Sequence, residues 1–154
     1  MTLSILYPLH ILSVVVWVGG MFFAYMALRP AAMSTLEPPF RLRLWRATFE
    51  KFFPWVWASI ITLLVTGYWM MFGFFGGMAG SPVYIHAMMG LGLVMMAIFM
   101  HIYFAAYKKL IRAVEAEDWP EGGKKLNQIR ILVGVNTLLG LATIAIATAG
   151  RYFV

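Results

Sequence analysis

Four hydrophobic stretches, each long enough to cross a lipid bilayer, limit what this chain can fold into more than any other feature. They lie at about residues 3–28, 52–76, 83–107 and 129–150. A helix needs about 20 apolar residues to span the hydrocarbon core of a membrane. Hydrophobic residues make up 62% of the 154-residue chain and charged residues 12%, so little sequence remains for a soluble module. The sequence therefore predicts an all-α fold, a four-transmembrane-helix bundle that forms a single integral membrane domain over residues 1–154.

The Lys and Arg residues predict how these helices are oriented. Eleven of the twelve lie in the first and third connections between the stretches, and only Arg151 lies near the C-terminus. Because cytoplasmic loops of membrane proteins are enriched in Lys and Arg, we expect both connections in the cytoplasm and both termini in the periplasm of a bacterial inner membrane. The same rule accounts for the net charge of +6, so the expected partner is the lipid bilayer and not a nucleic acid.

The first hydrophobic stretch differs from a cleaved signal peptide. No Lys or Arg precedes it, and Arg29 follows it directly. Its apolar run is also longer than the hydrophobic region of a secretory signal. We therefore expect it to remain as a helix.

The two basic connections allow different local structures. The first, residues 29–51, is interrupted by prolines and then alternates bulky apolar with basic residues. This pattern is typical of an interfacial helix at an anionic leaflet, and a charged, solvated loop fits it equally well. The third, residues 108–128, has mixed charge and contains Trp119-Pro120 and Gly122-Gly123, so it is predicted to be a solvated hairpin loop.

Three histidines, His10, His86 and His101, are the candidate functional residues, because each lies inside a hydrophobic stretch. An ionisable side chain is costly in hydrocarbon and usually marks a functional site. Neutral imidazole commonly binds metals, haem iron included. The chain has no cysteine, which excludes covalent c-type haem, iron–sulfur clusters, thiolate metal sites and disulfides.

Depth in the membrane decides which histidines can share a ligand. At 1.5 Å per residue, His10 lies ~10 Å and His86 ~5 Å below the outer boundary, whereas His101 lies ~22 Å deeper than His86. His10 and His86 are therefore predicted to hold one metal or haem between them, and His101 cannot join that pair. The simpler alternative is a hydrogen bond to a neighbouring helix. For His101 that partner would be Asn136, and a second haem on the cytoplasmic side is the other possibility.

Further side chains could complete such a site. Trp17 and Met21 share a helix face with His10 and would line its pocket. Arg151 could pair with a haem propionate, or serve only as an interfacial anchor. Thioethers are ligands for Cu(I) or haem, although packing is the favoured interpretation of the methionines near the outer ends of the second and third helices. These are Met70, Met71, Met78, Met88 and Met89.

Several short motifs resemble a known family. They are Leu9-His10-Ile11, Trp17-Val18-Gly19-Gly20-Met21-Phe22, Leu28-Arg29-Pro30, Tyr84-Ile85-His86, the His101 region, Arg130 and Arg151-Tyr152-Phe153. Together they resemble the CopD-like membrane proteins and the related HemJ-type protoporphyrinogen oxidases. The resemblance implies a four-helix membrane bundle that either binds b-type haem with redox activity or handles copper.

The chain departs from the HemJ-type pattern at three positions. Met88 stands where those enzymes have a lysine, and Val133 and Gly134 stand where they have an Asn-Glu pair. Oxidation of a porphyrinogen is therefore not expected. The histidines attributed to haem binding, His10 and His86, are retained.

Three functions are compatible with these features. The leading hypothesis is a b-type cytochrome with His10 and His86 as axial ligands, exchanging electrons with a quinone or another small oxidant or reductant. Any catalysis would then be the chemistry of the haem b cofactor. The alternative is a copper transport or copper-delivery protein that uses His10, His86 and the outer methionines. The third is a structural subunit whose histidines only bond neighbouring helices, and a homo-oligomer fits all three.

Overall fold

The computed structural model describes residues 2–153 and consists of four long helices. They are α1 (Thr2–Thr35), α2 (Pro38–Phe74), α3 (Val83–Glu115) and α4 (Trp119–Tyr152), and each is long and apolar enough to cross a membrane. No strand occurs among the described residues. The predicted all-α fold with four membrane-spanning helices is therefore confirmed.

The two basic connections are helical for most of their length, so their interpretation as solvated loops was wrong. Residues 38–51 are helical, as the alternative of an interfacial helix predicted, but they continue directly into the second span within α2. Only residues 36–37 separate α1 from α2, and only residues 116–118 separate α3 from α4. The prolines do not break α2, because Pro38 and Pro39 occupy its first turn, where the backbone N–H groups have no helical partner. The Asp118 side chain accepts a hydrogen bond from the backbone N–H of Glu121 and caps α4.

A π-helical segment, Ala24–Leu28, lets α1 continue through Pro30. Proline lacks an N–H and its ring clashes with the carbonyl four residues earlier in a regular α-helix. Here the N–H of Arg29 bonds to the carbonyl of Ala24, five residues back, which widens the turn in front of the proline. The chain consequently extends its first helix to Thr35.

Aromatic rings of α2 and α3 pack together in the half of the bundle near the basic connections. Phe53 is 4% exposed, and its ring centroid lies 4.9 Å from those of Phe49 and Tyr107 and 5.3 Å from that of Phe99. Small residues let α4 pack closely on α1 in this region, since a Cβ on Gly134 would come within 2.9 Å of the Tyr25 side chain. The contacts of Phe53 with Phe99 and Tyr107 thus hold α2 against α3.

The orientation of the bundle is our first testable prediction. Because three short connections reverse the chain, both of its described ends lie at one end of the bundle, opposite the basic connections. We expect alkaline phosphatase fused after Val154 to be active, and the same enzyme inserted at residues 116–118 to be inactive. Fluorescent-protein fusions at the same positions should give the opposite pattern. A C-terminal fusion that fluoresces and lacks phosphatase activity would place the termini in the cytoplasm.

Candidate functional site

A cavity of about 300 Å³ lies between the four helices in the half of the bundle that holds the chain ends, and we call it the outer cavity. Its walls are mostly aliphatic and thioether side chains. Of the described residues that line it, His10 and Tyr68 carry the only titratable side chains. A ligand in this cavity would therefore meet one imidazole in an otherwise uncharged, apolar surrounding.

The hydrogen bonds of His10 determine which ring nitrogen carries its proton. The Nδ1 atom of His10 lies 2.8 Å from the hydroxyl oxygen of Thr66 on α2. That hydroxyl donates its own hydrogen to the carbonyl oxygen of Thr62, at 2.6 Å. The Thr66 oxygen can then only accept from His10, so we assign the hydrogen of the neutral ring to Nδ1.

The second nitrogen of the ring is consequently available as a ligand. With its hydrogen on Nδ1, His10 keeps a lone pair on Nε2. Among the described residues, Nε2 has no hydrogen-bond partner. Gly67 leaves room for the ring, since a Cβ at that position would lie 3.4 Å from the His10 Cε1 atom. Metal-bound histidines usually have this arrangement, with the other ring nitrogen donating to a fixed oxygen.

Methionine sulfurs are the other ligand atoms that could reach the outer cavity. Four of its five methionines lie on one face of α3, in the repeat of a helix, and the fifth comes from α2. They are Met88, Met89, Met95 and Met96, and Met71. Of the methionines that the sequence singled out, Met70 is buried outside the lining, and Met78 is 49% exposed. Packing was the favoured interpretation, yet Met71, Met88 and Met89 all border the cavity.

Of the other residues predicted near His10, some line the outer cavity and others do not. Trp17 lines the outer cavity and is 2% exposed. Met21 is buried one turn further along α1, outside the lining. His86 is half-buried and does not line the cavity that His10 lines. The pairing of His10 with His86 therefore stays a prediction.

The predicted hydrogen bond between His101 and Asn136 is wrong. Asn136 is 1% exposed, and its amide donates to the carbonyl oxygen of Met95 at 3.2 Å. The His101 side chain is exposed on the surface of α3. The two residues were correctly expected in neighbouring helices, but depth alone does not show which way a side chain faces.

Arg151 lies outside the cavity lining and is exposed. Its guanidinium donates to the hydroxyl of Tyr152 at 2.7 Å and lies 4.8 Å from the centre of that ring. These contacts fit the interpretation as an interfacial anchor. Pairing with a haem propionate stays a prediction.

Sequence reasoning missed two parts of the site. It did not identify Thr66, the hydrogen-bond partner of His10, although counting residues from the outer end of α2 places this hydroxyl at a similar depth. It also overlooked Met95 and Met96, which continue the helical repeat of Met88 and Met89. Within residues 2–153, no group of three or more His, Cys, Asp or Glu side chains could hold a metal. A metal in the outer cavity would therefore depend on imidazole and thioether ligands.

Comparison with known proteins gives one match. The family model of CopD, copper resistance protein D, matches residues 46–149. No curated protein and no solved structure gave a significant match. The matched range includes most of α2, α3 and α4, and it begins after the motifs around His10 that suggested the same family. Because the match extends over more than half of the sequence, the chain belongs to the CopD family of membrane proteins.

Proposed function

We propose that this protein binds Cu(I) in the outer cavity as the cargo of a copper transport or copper-delivery function. The observation that carries the proposal is the hydrogen-bond chain from His10 through Thr66 to Thr62, which leaves the His10 Nε2 lone pair free beside five methionines. The family match, whose description names copper resistance, supports the same metal.

The ligand atoms in the lining favour copper in its Cu(I) state over other metal ions. Thioether and imidazole are soft or borderline ligands that suit Cu(I). Hard ions such as Ca²⁺ and Mg²⁺ need several oxygen ligands, and no Asp or Glu among the described residues lines the cavity. Neutral ligands around a monovalent ion leave one positive charge in the membrane, so the cost of burial is lower than for a divalent ion with the same ligands.

Each residue would have a separate task. His10 binds the ion through Nε2, and Thr66 holds the ring in the required tautomer and orientation. The methionines of α3 supply sulfur ligands along the length of the cavity. Trp17, which is 2% exposed, packs edge-on against Phe99 at 6.5 Å and closes the cavity toward the aromatic half of the bundle.

Haem b, the leading prediction from the sequence, is our second candidate. The same hydrogen-bonded imidazole suits an axial ligand of haem, and methionine can serve as the other axial ligand. A bis-histidine site needs His86 as well, and that residue does not line the outer cavity. The lining that surrounds His10 therefore fits copper, or a His–Met haem, better than a bis-histidine haem.

Metal analysis of the purified protein tests the proposal. The protein should bind Cu(I) reversibly when titrated against a chromophoric Cu(I) chelator, and it should show no Soret band when purified from cells supplied with a haem precursor. A Soret band in stoichiometric amount would replace the copper proposal with haem binding. A colourless protein that leaves all Cu(I) with the chelator would remove both metal proposals.

The role of Thr66 provides a second prediction. Thr66→Val removes the acceptor of the His10 hydrogen bond and preserves the shape of the side chain. Cu(I) affinity should fall about 10- to 100-fold, as it does when outer-shell partners of metal ligands are lost. Thr137→Val is the matched control, because Thr137 is also buried and donates to the carbonyl four residues earlier, but makes no hydrogen bond to His10. Equal affinities of both variants would mean that Thr66 does not orient a ligand.

The methionines provide a third prediction. The double variant Met88→Leu/Met89→Leu keeps the size and apolarity of the lining and removes two sulfurs. Its Cu(I) affinity should fall by about tenfold or more, equivalent to ~1.4 kcal/mol per factor of ten. Met78→Leu/Met100→Leu alters two exposed methionines and should leave the affinity unchanged. A parallel chelator titration of the two double variants distinguishes sulfur ligation from packing.

A further inference from the structure

A second cavity, of about 340 Å³, lies at the opposite end of the bundle, near the basic connections. We call it the inner cavity. It is bordered by α1, α2 and α4, and three arginines face it: Arg29, Arg41 and Arg130. No Asp or Glu among the described residues lines it. The inner cavity therefore has a concentration of positive charge that its own lining does not neutralise.

Other arginines at this end of the bundle have carboxylate partners, whereas those of the inner cavity have none among the described residues. Arg43 and Arg46, on the same helix as Arg41, form ion pairs with Glu117 at 3.6 Å and with Glu115 at 2.9 Å. The three arginines of the inner cavity form no ion pair within residues 2–153. Glu115 and Glu117 are thus paired with arginines that lie outside the cavity.

Arg130 has a buried donor without a partner. Its Nε atom is buried and makes no hydrogen bond among the described residues. A buried polar group without a partner costs about 1–3 kcal/mol, and more when it is charged. Arg29 is held at the cavity by its guanidinium, which lies 5.4 Å from the centre of the Tyr25 ring. An anion that accepted a hydrogen bond from Arg130 would remove this cost.

The rest of the inner cavity is an apolar wall. It includes the side chains of Trp45 and Phe49, which are 6% and 5% exposed, and that of Leu42, which is 3% exposed. Along α2 the lining runs over residues 38–49, a rise of ~16 Å, from the polar end of the helix toward the centre of the bundle. A small soluble anion would contact only the arginines of such a cavity, whereas an amphiphile would contact both the arginines and the apolar wall.

We propose that the inner cavity binds an anionic phospholipid, with its phosphate on Arg29, Arg41 and Arg130 and an acyl chain along the wall of Trp45 and Phe49. Guanidinium groups match phosphate oxygens in geometry and charge. The lipid would come from the leaflet at this end of the bundle. This site is separate from the outer cavity, and it does not depend on copper binding.

Native mass spectrometry of the full chain in nanodiscs tests the lipid site. Nanodiscs of phosphatidylcholine containing phosphatidylglycerol provide the two competing headgroups. The wild-type protein should retain phosphatidylglycerol selectively, and Arg41→Gln and Arg130→Gln should each reduce its occupancy by about tenfold, the loss of one charge-assisted contact. Arg43→Gln, the matched control on the same helix, should retain the lipid like the wild type. Arg130→Lys keeps the positive charge and should retain more lipid than Arg130→Gln, which separates loss of the contact from misfolding.

A second arm of the experiment separates a lipid from a free anion. Inorganic phosphate at millimolar concentration should not displace the bound phosphatidylglycerol, because it makes no contact with the apolar wall. Displacement by inorganic phosphate would overturn the proposal in favour of a soluble anion. An equal loss of lipid in Arg43→Gln, or no loss in Arg41→Gln and Arg130→Gln, would show that the inner cavity is not the site.

Discussion

Replacing His10 with alanine is expected to lower the Cu(I) affinity of the purified protein by about 100-fold or more, or ~2.8 kcal/mol. The variant removes the one imidazole of the outer cavity, and in the wild type this ring has a free Nε2 held in place by Thr66. The thioethers that remain are weaker ligands and belong to flexible side chains. Chelator competition, with wild-type and variant protein in the same detergent, measures the change.

The other two histidines provide the controls for this experiment. His101→Ala should bind Cu(I) like the wild type, because that side chain is exposed on α3 and does not line the outer cavity. His86→Ala separates copper from a bis-histidine haem, since His86 does not line the cavity but is required for that haem. A His101→Ala variant that loses copper while His10→Ala retains it would contradict the proposed site.

Replacing Phe53 with alanine is expected to cause the largest loss of stability, about 3 kcal/mol. Phe53 is 4% exposed and contacts four aromatic rings, those of Phe49, Phe99, Tyr103 and Tyr107. In a membrane the helices are not held together by the hydrophobic effect but by packing, so the cost comes from the lost ring contacts and the void that remains. Equilibrium unfolding by SDS in mixed micelles measures this free energy.

Phe72→Ala is the control for the packing argument. Phe72 lies on the same helix but is 62% exposed, so its removal leaves no internal void and should change the stability by less than about 0.5 kcal/mol. Phe53→Ala should also leave Cu(I) affinity intact as long as the bundle remains folded, because Phe53 does not line the outer cavity. Similar destabilisation by the two variants would mean that the aromatic cluster does not hold the bundle together.

The membrane fold could be predicted because it depends on features that a sequence shows directly. The length of the hydrophobic stretches and their lack of charged residues identify four membrane-spanning helices. Together with the family match, they indicate a multi-pass protein of the bacterial inner membrane. The lengths of the helices could not be predicted. Pro30 and Pro38 interrupt the hydrophobic sequence and suggested that the helices end there. A widened turn instead accommodates Pro30 within α1, and Pro38 occupies the first turn of α2.

The site could be predicted only in part, because depth follows from counting residues and helix rotation does not. His10 and Trp17 both line the outer cavity, and their role in binding a ligand stays a prediction. Which other side chains share the cavity depends on how each helix is turned, and this is set by packing at small residues such as Gly67 and Gly140. Thus Met95 and Met96 face the cavity. Asn136, by contrast, donates to the Met95 carbonyl instead of reaching His101.

Copper-edge X-ray absorption spectroscopy of the Cu(I)-loaded protein tests the central claim most directly, because it identifies the atoms bound to the metal. We expect a mixed shell with one imidazole nitrogen and thioether sulfurs. The nitrogen should disappear in His10→Ala, and the sulfur signal should weaken in Met88→Leu/Met89→Leu. A shell of nitrogen and oxygen without sulfur, unchanged in both variants, would contradict Cu(I) binding in the outer cavity.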